Sequence, residues 1–185
     1  MASSLLRARR YVLVLKSKPD DVRYPGFVTV RHATALENLR YERLVLNPTY
    51  ERQRYEFTRV LDGVWRQGGW TVYLDELLYL DRMGLRPSIE RLLTQGRSKG
   101  ISVVLGMQRP VAVTRFALSE SAHVLSFGLE GRDAKEIGAA TQRWVGDAVT
   151  TLRRHEFAWY ARPDRLWVGK LDPRRQLLEG DYVRA

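Results

Sequence analysis

A chain of 185 residues is long enough for one domain with its own hydrophobic core, and 31 Lys and Arg against 21 Asp and Glu leave it a net charge of +10. That excess favours nucleic acid or another polyanion as partner through long-range attraction and counterion release, against the plainer reading of a basic solvated surface. With no cysteine, disulfides and thiolate metal sites are excluded, in keeping with a reducing cytosol; His32, His123 and His155 lack ligand spacing, and no apolar run approaches membrane-span length.

The first residues, "MASSLLRARRY", carry basic side chains with no long apolar core after them, so no signal peptide is expected. "YVLVL" (11–15) is a short, continuously apolar run, as a strand buried on both faces requires. "GFVTV" (26–30) and "ERLVLN" (42–47) follow as weaker strands, with "HATALENLR" between them as a short helix carrying Leu36 and Leu39 on one side. From Tyr50 to Gln67, Tyr55, Val60, Leu61, Val64 and Trp65 recur at helical spacing, and Gly68 and Gly69 stand where a helix should end. "WTVYLDE" (70–76) makes the next strand, Pro87 and "SIERLLTQGR" (88–97) the next helix with Ile89, Leu92 and Leu93 on one face, and "ISVVLGM" (101–107) a second wholly apolar strand. A short helix near 113–120, a strand "AHVLSFGL" (122–129) and a helix from Arg132 to Ala140 come next. The alternating runs of "EFAWYARPDRLWVGKL" (156–171) then join as a hairpin about "RPDR".

No repeat or Pro/Gly/Ser-rich linker divides the chain, so residues 1–185 read as a single domain of α/β class. Alternating strands and helices imply a mostly parallel sheet with helices on both faces, ending in the hairpin. Such sheets bind ligands at the carboxyl ends of their strands, which gives functional weight to Asp75 and Glu76, closing what reads as the central strand.

An Asp-Glu pair there serves nucleotide hydrolysis when the Asp holds a hydrated magnesium ion bridging the phosphates and the Glu polarises the attacking water. Alone, the pair reads more simply as strand-end acids capping the next turn. Gln108 ends the neighbouring apolar strand, where a neutral amide reaches a γ-phosphate or the attacking water. Arg97 ends the helix between the two strands, either projecting toward a neighbouring subunit's phosphate or serving as a favourable cation at a helix C-terminus. Trp65, Trp70, Trp159 and Trp167 lie in predicted helices and strands and read as packing residues.

In this order and spacing, "TVYLDEL", "LLTQGRSKGISVVLGMQRP" and "LSESAHVLSFGLEGRDAKEIG" carry a resemblance. The run from Trp70 to Glu130 resembles the FtsK/HerA superfamily of hexameric P-loop ATPases that translocate or package DNA. The resemblance implies a RecA/P-loop-like fold and a Walker B pair in Asp75 and Glu76, with Asp75 holding magnesium through water. It makes Gln108 the sensor-type residue beside the nucleotide and Arg97 an arginine finger acting in trans. It also implies ATP and magnesium as cofactors, double-stranded DNA as partner, a homo-oligomeric ring and a cytoplasmic place, with the short form leaning toward a phage or mobile-element packaging role. DNA contacts would come from Arg82, Arg86, Lys99, Arg109 and Arg115, the first two ranked highest because "DRMGLRPS" reads as a loop; each is as readily a solvated surface cation.

Two departures stand out. Lys16 occupies a place where the family pattern has an acid. No G-x-x-x-x-G-K-[ST] loop, the phosphate cradle of these enzymes, occurs in the sequence; "VGKL" (168–171) lacks the first glycine and the hydroxyl residue and reads as strand. "ASSLLRAR" has the character of the back end of a helix following such a loop, so the chain is expected to be the distal part of a complete ATPase. A degenerate subunit, lending Arg97 to an active neighbour, and a basic α/β binding module are the other readings.

Overall fold

Continuous apolar runs bury both faces of a strand, and here they assemble a parallel sheet. The computed structural model describes residues 6, 9–18, 22–37, 41–112, 115–171 and 178–183. They gather into two units, Met1–Gln108 and Arg109–Ala185, where the sequence alone reads as one domain. "ASSLLRAR", apart from Leu6 and Arg9, and residues 38–40 with Leu39 lie outside the described residues.

In the first unit β1 (Val12–Leu15), β2 (Val28–Val30), α1 (Thr34–Glu37) and β3 (Arg43–Leu46) come first. A short 3-10 turn (Tyr50–Arg52) leads into α2 (Gln53–Gln67), followed by β4 (Thr71–Leu74) and α3 (Leu77–Leu80). A widened helical turn (Asp81–Leu85), α4 (Arg86–Gln95), a 3-10 turn (Gly96–Lys99) and β5 (Ser102–Leu105) complete it. All five strands run parallel in the order β2-β3-β1-β4-β5. The centre is therefore β1; β4, expected there, is its neighbour, and β5 forms an edge.

Side chains alternate along each strand, and both sets are covered. Val12, Val14, Val45 and Tyr73 share one cluster with Leu6, Tyr24, Phe27 and Val104, while Leu13, Leu15, Leu44, Leu46, Val72 and Leu74 are buried between them. Removing one, as in Leu13→Ala, is expected to cost about 2–5 kcal/mol because the cavity cannot fully collapse. β5 differs, being only half-buried along its length.

α2 buries Phe57, Val60, Leu61 and Val64, while Tyr55, expected on that face, is 58% exposed. The helix stops at Gly68, whose φ of 70° favours glycine and whose N–H caps Val64 O at 2.9 Å. A Cβ at Gly68 would also sit 2.7 Å from Lys99 O, so the close approach demands glycine a second time. The same helix carries a buried acid, Glu56, which accepts hydrogen bonds from Ala33 N (2.8 Å), Arg52 Nη2 (2.8 Å) and His32 Nδ1 (3.1 Å). Burial opposes its ionisation, but those donors outweigh it and hold the carboxyl below its ordinary range.

The second unit holds a 3-10 turn (Pro110–Ala112), α5 (Arg115–Ser119), β6 (His123–Phe127), α6 (Gly131–Ala140), α7 (Arg143–Thr151), β7 (Glu156–Ala161), β8 (Arg165–Leu171) and β9 (Leu178–Val183). The predicted hairpin is present as β7 and β8. Its sheet is antiparallel, ordered β6-β7-β8-β9. β6 thus pairs with the hairpin rather than extending the parallel sheet as expected, since β7 returns beside it after the two helices.

Candidate functional site

Parallel pairing converts strand ends into a shared rim. Register aligns Leu15 with Leu74 and Leu74 with Leu105, so the chain leaves β1, β4 and β5 on the same side. Residues 16–18, 75–76 and 106–108 follow these ends directly.

At this rim each acid has its own partner. Asp75 is half-buried, and Tyr73 Oη donates to its Oδ1 at 2.8 Å; residues two apart share a strand face, which is why Tyr73 reaches it. The side chain of Glu76 is 12% exposed and accepts from Lys18 Nζ at 2.8 Å. Glu76 occupies the N-cap position of α3 in an extended conformation (φ −140°, ψ 91°), yet its side chain makes no capping bond. The plain reading of the pair as turn-capping acids is therefore not the arrangement the residues adopt.

The end of β5 presses against the pair through Gly106. Gly106 N donates to Leu74 O at 2.8 Å and Leu77 N donates to Gly106 O at 2.9 Å. A Cβ there would stand 2.6 Å from Asp75 O and 3.2 Å from Tyr73 Oη. Gln108 follows at the same rim and is exposed.

Arg97 lies elsewhere. It is exposed in the 3-10 turn leading into the start of β5, at the opposite end of the strand from Gln108. Lys99 shares that turn, its Nζ 5.0 Å from the Trp65 ring centroid, with Arg91 Cζ over the same ring at 4.9 Å. Among the proposed DNA contacts, Arg82 is exposed in the widened turn, and Arg86 begins α4 with Nε 2.8 Å from Glu90 Oε1. The segment "DRMGLRPS", expected as a loop, is thus mostly helical, broken at Gly84 with φ 87°. Arg109, in the second unit, stands 3.6 Å from Asp133 Oδ2, and Arg115 opens α5 with its side chain outside the described residues.

Sequence reasoning missed Tyr73, Lys18 and Gly106. Period-two spacing before Asp75 pointed to Tyr73; nothing local pointed to the other two. Among the described residues no group of three or more His, Asp or Glu side chains is placed to hold a metal ion, and no helix is long and apolar enough to cross a membrane.

The chain shares its α/β fold with solved structures of viral genome packaging NTPases. It superimposes on the genome packaging NTPase B204 from Sulfolobus turreted icosahedral virus 2, in complex with sulfate, with a TM-score of 0.69 at 14% identity, covering 96% of this chain and 84% of that one. The AMPPCP complex of the same NTPase gives 0.66 at 12% identity, covering 100% of this chain and 88% of that one. For the DNA-packaging ATPase B204 from Sulfolobus Turreted Icosahedral Virus the values are 0.65, 17%, 100% and 88%. In sequence, the chain is 39% identical to the DNA packaging ATPase P9 of Enterobacteria phage PRD1 over 77 residues, 42% of this chain and 33% of that protein. The matched stretch thus spans about a third of the phage protein's length. No family model matches the chain.

Proposed function

We propose that the chain is part of an ATP-driven DNA-packaging motor of FtsK/HerA type, working on double-stranded DNA as a ring of like subunits in the cytoplasm of an infected host. The observation that carries this reading is the rim shared by Asp75, Glu76 and Gln108, in a fold whose similar proteins are viral packaging NTPases.

In this reading Asp75 is the water-mediated magnesium ligand. Its donor set fits: Tyr73 occupies Oδ1, leaving Oδ2 for a metal-bound water, and Mg2+ in nucleotide sites commonly takes one or two carboxylates with phosphate and water oxygens. When bound, magnesium supplies charge neutralisation at the β- and γ-phosphates. Glu76 accepts the proton of the attacking water, and Gln108 hydrogen-bonds that water or the γ-phosphate. Arg97 acts on a neighbour's nucleotide. Its place at the far end of β5, about 13 Å of strand away at ~3.3 Å per residue, takes it out of reach of its own subunit's phosphates. Arg82, Arg86, Lys99, Arg109 and Arg115 are the proposed backbone contacts to DNA, reading charge rather than sequence.

A second reading is a subunit that does not hydrolyse nucleotide and lends Arg97 to an active neighbour. One experiment separates them: magnesium-dependent ATP hydrolysis by the chain alone, by the chain joined to the in-frame sequence encoded upstream of Met1, and by mixtures with an active packaging subunit. Turnover that appears with the upstream segment and disappears on Glu76→Gln supports the motor reading. Turnover only in mixtures, insensitive to Glu76→Gln but lost with Arg97→Ala, supports the second.

A further inference from the structure

We propose that Lys18 is a positioning residue for Glu76: it holds the carboxylate while the site is empty and passes to phosphate when nucleotide arrives, freeing Glu76 for water. This inference rests on the nucleotide-hydrolysing reading above and assigns a residue to it.

The pairing follows from topology. Lys18 and Glu76 are 58 positions apart in sequence, but β1 and β4 are adjacent and in register, so the two residues emerge at one rim. Their Nζ–Oε2 distance is 2.8 Å. That contact occupies Oε2, one of the two oxygens with which Glu76 can accept a proton from water. As long as it persists, the acid is poorly disposed to act as a base.

The two partners are not equally confined. The Glu76 side chain is 12% exposed, whereas that of Lys18 is 39% exposed. An ammonium on a flexible four-carbon stem changes partners readily, so Lys18 is the member that moves. A γ-phosphate carries more charge than a carboxylate and offers several acceptor oxygens, which makes it the stronger competitor for the ammonium.

A second observation comes from the same loop. Ser17, next to Lys18, is 6% exposed, and its Oγ has no hydrogen-bond partner among the described residues. Buried hydroxyls are normally satisfied, so this loop has room in its hydrogen bonding for a polar guest such as a phosphate oxygen or water.

The test is amine acetylation of the 185-residue chain read by mass spectrometry, with exposed Lys135 and Lys170 as internal references and magnesium with AMPPCP as probe, its binding measured in parallel by equilibrium dialysis. The proposal expects Lys18 to react more slowly than the references in the wild type. Glu76→Gln should raise its rate several-fold, and Glu76→Asp, which keeps the charge on a shorter stem, to an intermediate value. Bound AMPPCP should then protect Lys18 again in Glu76→Gln without changing Lys135, a response that a merely structural ion pair would not give. An unchanged Lys18 rate in both Glu76 variants overturns the pairing. Bound AMPPCP with Lys18 still reactive overturns the transfer alone. Absence of AMPPCP binding to the wild type at millimolar concentration overturns the transfer in this chain, while the response to Glu76→Gln still reports on the pairing.

Discussion

Gly106→Ala is a sharp test of how β5 braces the acid pair. Gly106 has no left-handed backbone angle; what demands glycine is space, because a Cβ would meet Asp75 O at 2.6 Å and both Asp75 C and Tyr73 Oη at 3.2 Å. Ordinary contact begins at 3.4 Å, so strand ends must separate by about 0.8 Å, and the nearest atoms are backbone that cannot rotate aside. The separation stretches the two bonds flanking the contact, Gly106 N to Leu74 O and Leu77 N to Gly106 O. Overpacking costs about 1–3 kcal/mol and weakening the two bonds about 1 kcal/mol more. Alanine's smaller unfolded-state entropy returns about 0.4–1 kcal/mol. The net loss is expected at about 1–3.5 kcal/mol, a fall in Tm of about 2–14 °C for a chain of this size. Urea denaturation followed by tryptophan fluorescence, in which buried Trp70 adjoins β4, measures it. A variant within about 0.5 kcal/mol of its parent, the range of an ordinary surface change, would refute the claim that β5 is pressed against Asp75.

The other expectations concern chemistry and charge. In whichever form carries a phosphate loop, Glu76→Gln should keep nucleotide affinity while lowering turnover by about 10²–10⁴-fold, read by equilibrium binding beside steady-state hydrolysis. The 185-residue chain alone should hydrolyse ATP poorly or not at all; brisk magnesium-dependent turnover by it would contradict the need for that loop. Arg97→Ala mixed with a Glu76→Gln subunit should regain part of the activity each lacks, since finger and base then come from different protomers, and no recovery at any mixing ratio rules out action in trans. Because the Glu56 carboxyl is held below its ordinary range, its contribution is present above the unfolded carboxyl's pKa and is lost as pH falls through the folded one. Urea midpoints between about pH 5 and 3 should fall more steeply in the parent than in Glu56→Gln. DNA affinity should drop steeply with salt, and Arg82→Ala should reduce the slope of log K against log salt by about one unit if its guanidinium meets a phosphate.

How much of this was legible depended on the distance over which the signal acts. β1 and β4 announce themselves because a strand buried on both faces must be apolar throughout, and α2 because Val60, Leu61 and Val64 repeat at its period. Asp75 and Glu76 were readable as acids closing a strand. Helix α7 was missed because its N-terminal half hides behind glycine: a Cβ at Gly146 would lie 2.7 Å from Ala134 O, so the residue that weakens the local helix signal is the one that lets α6 approach. β9 was missed because pairing with β8, rather than a strong run of its own, makes "LEGDYV" a strand. Strand order is not a local property either: β1 takes the centre because both β3 and β4 pair with it, and β6 leaves the parallel set because β7 returns antiparallel beside it. The same reasoning explains the site. Tyr73 was within reach of a period-two argument, but Lys18 meets Glu76 only once β1 and β4 are known to be neighbours in register. In sequence that lysine is one cation among many; at the rim it is the ion-pair partner of Glu76.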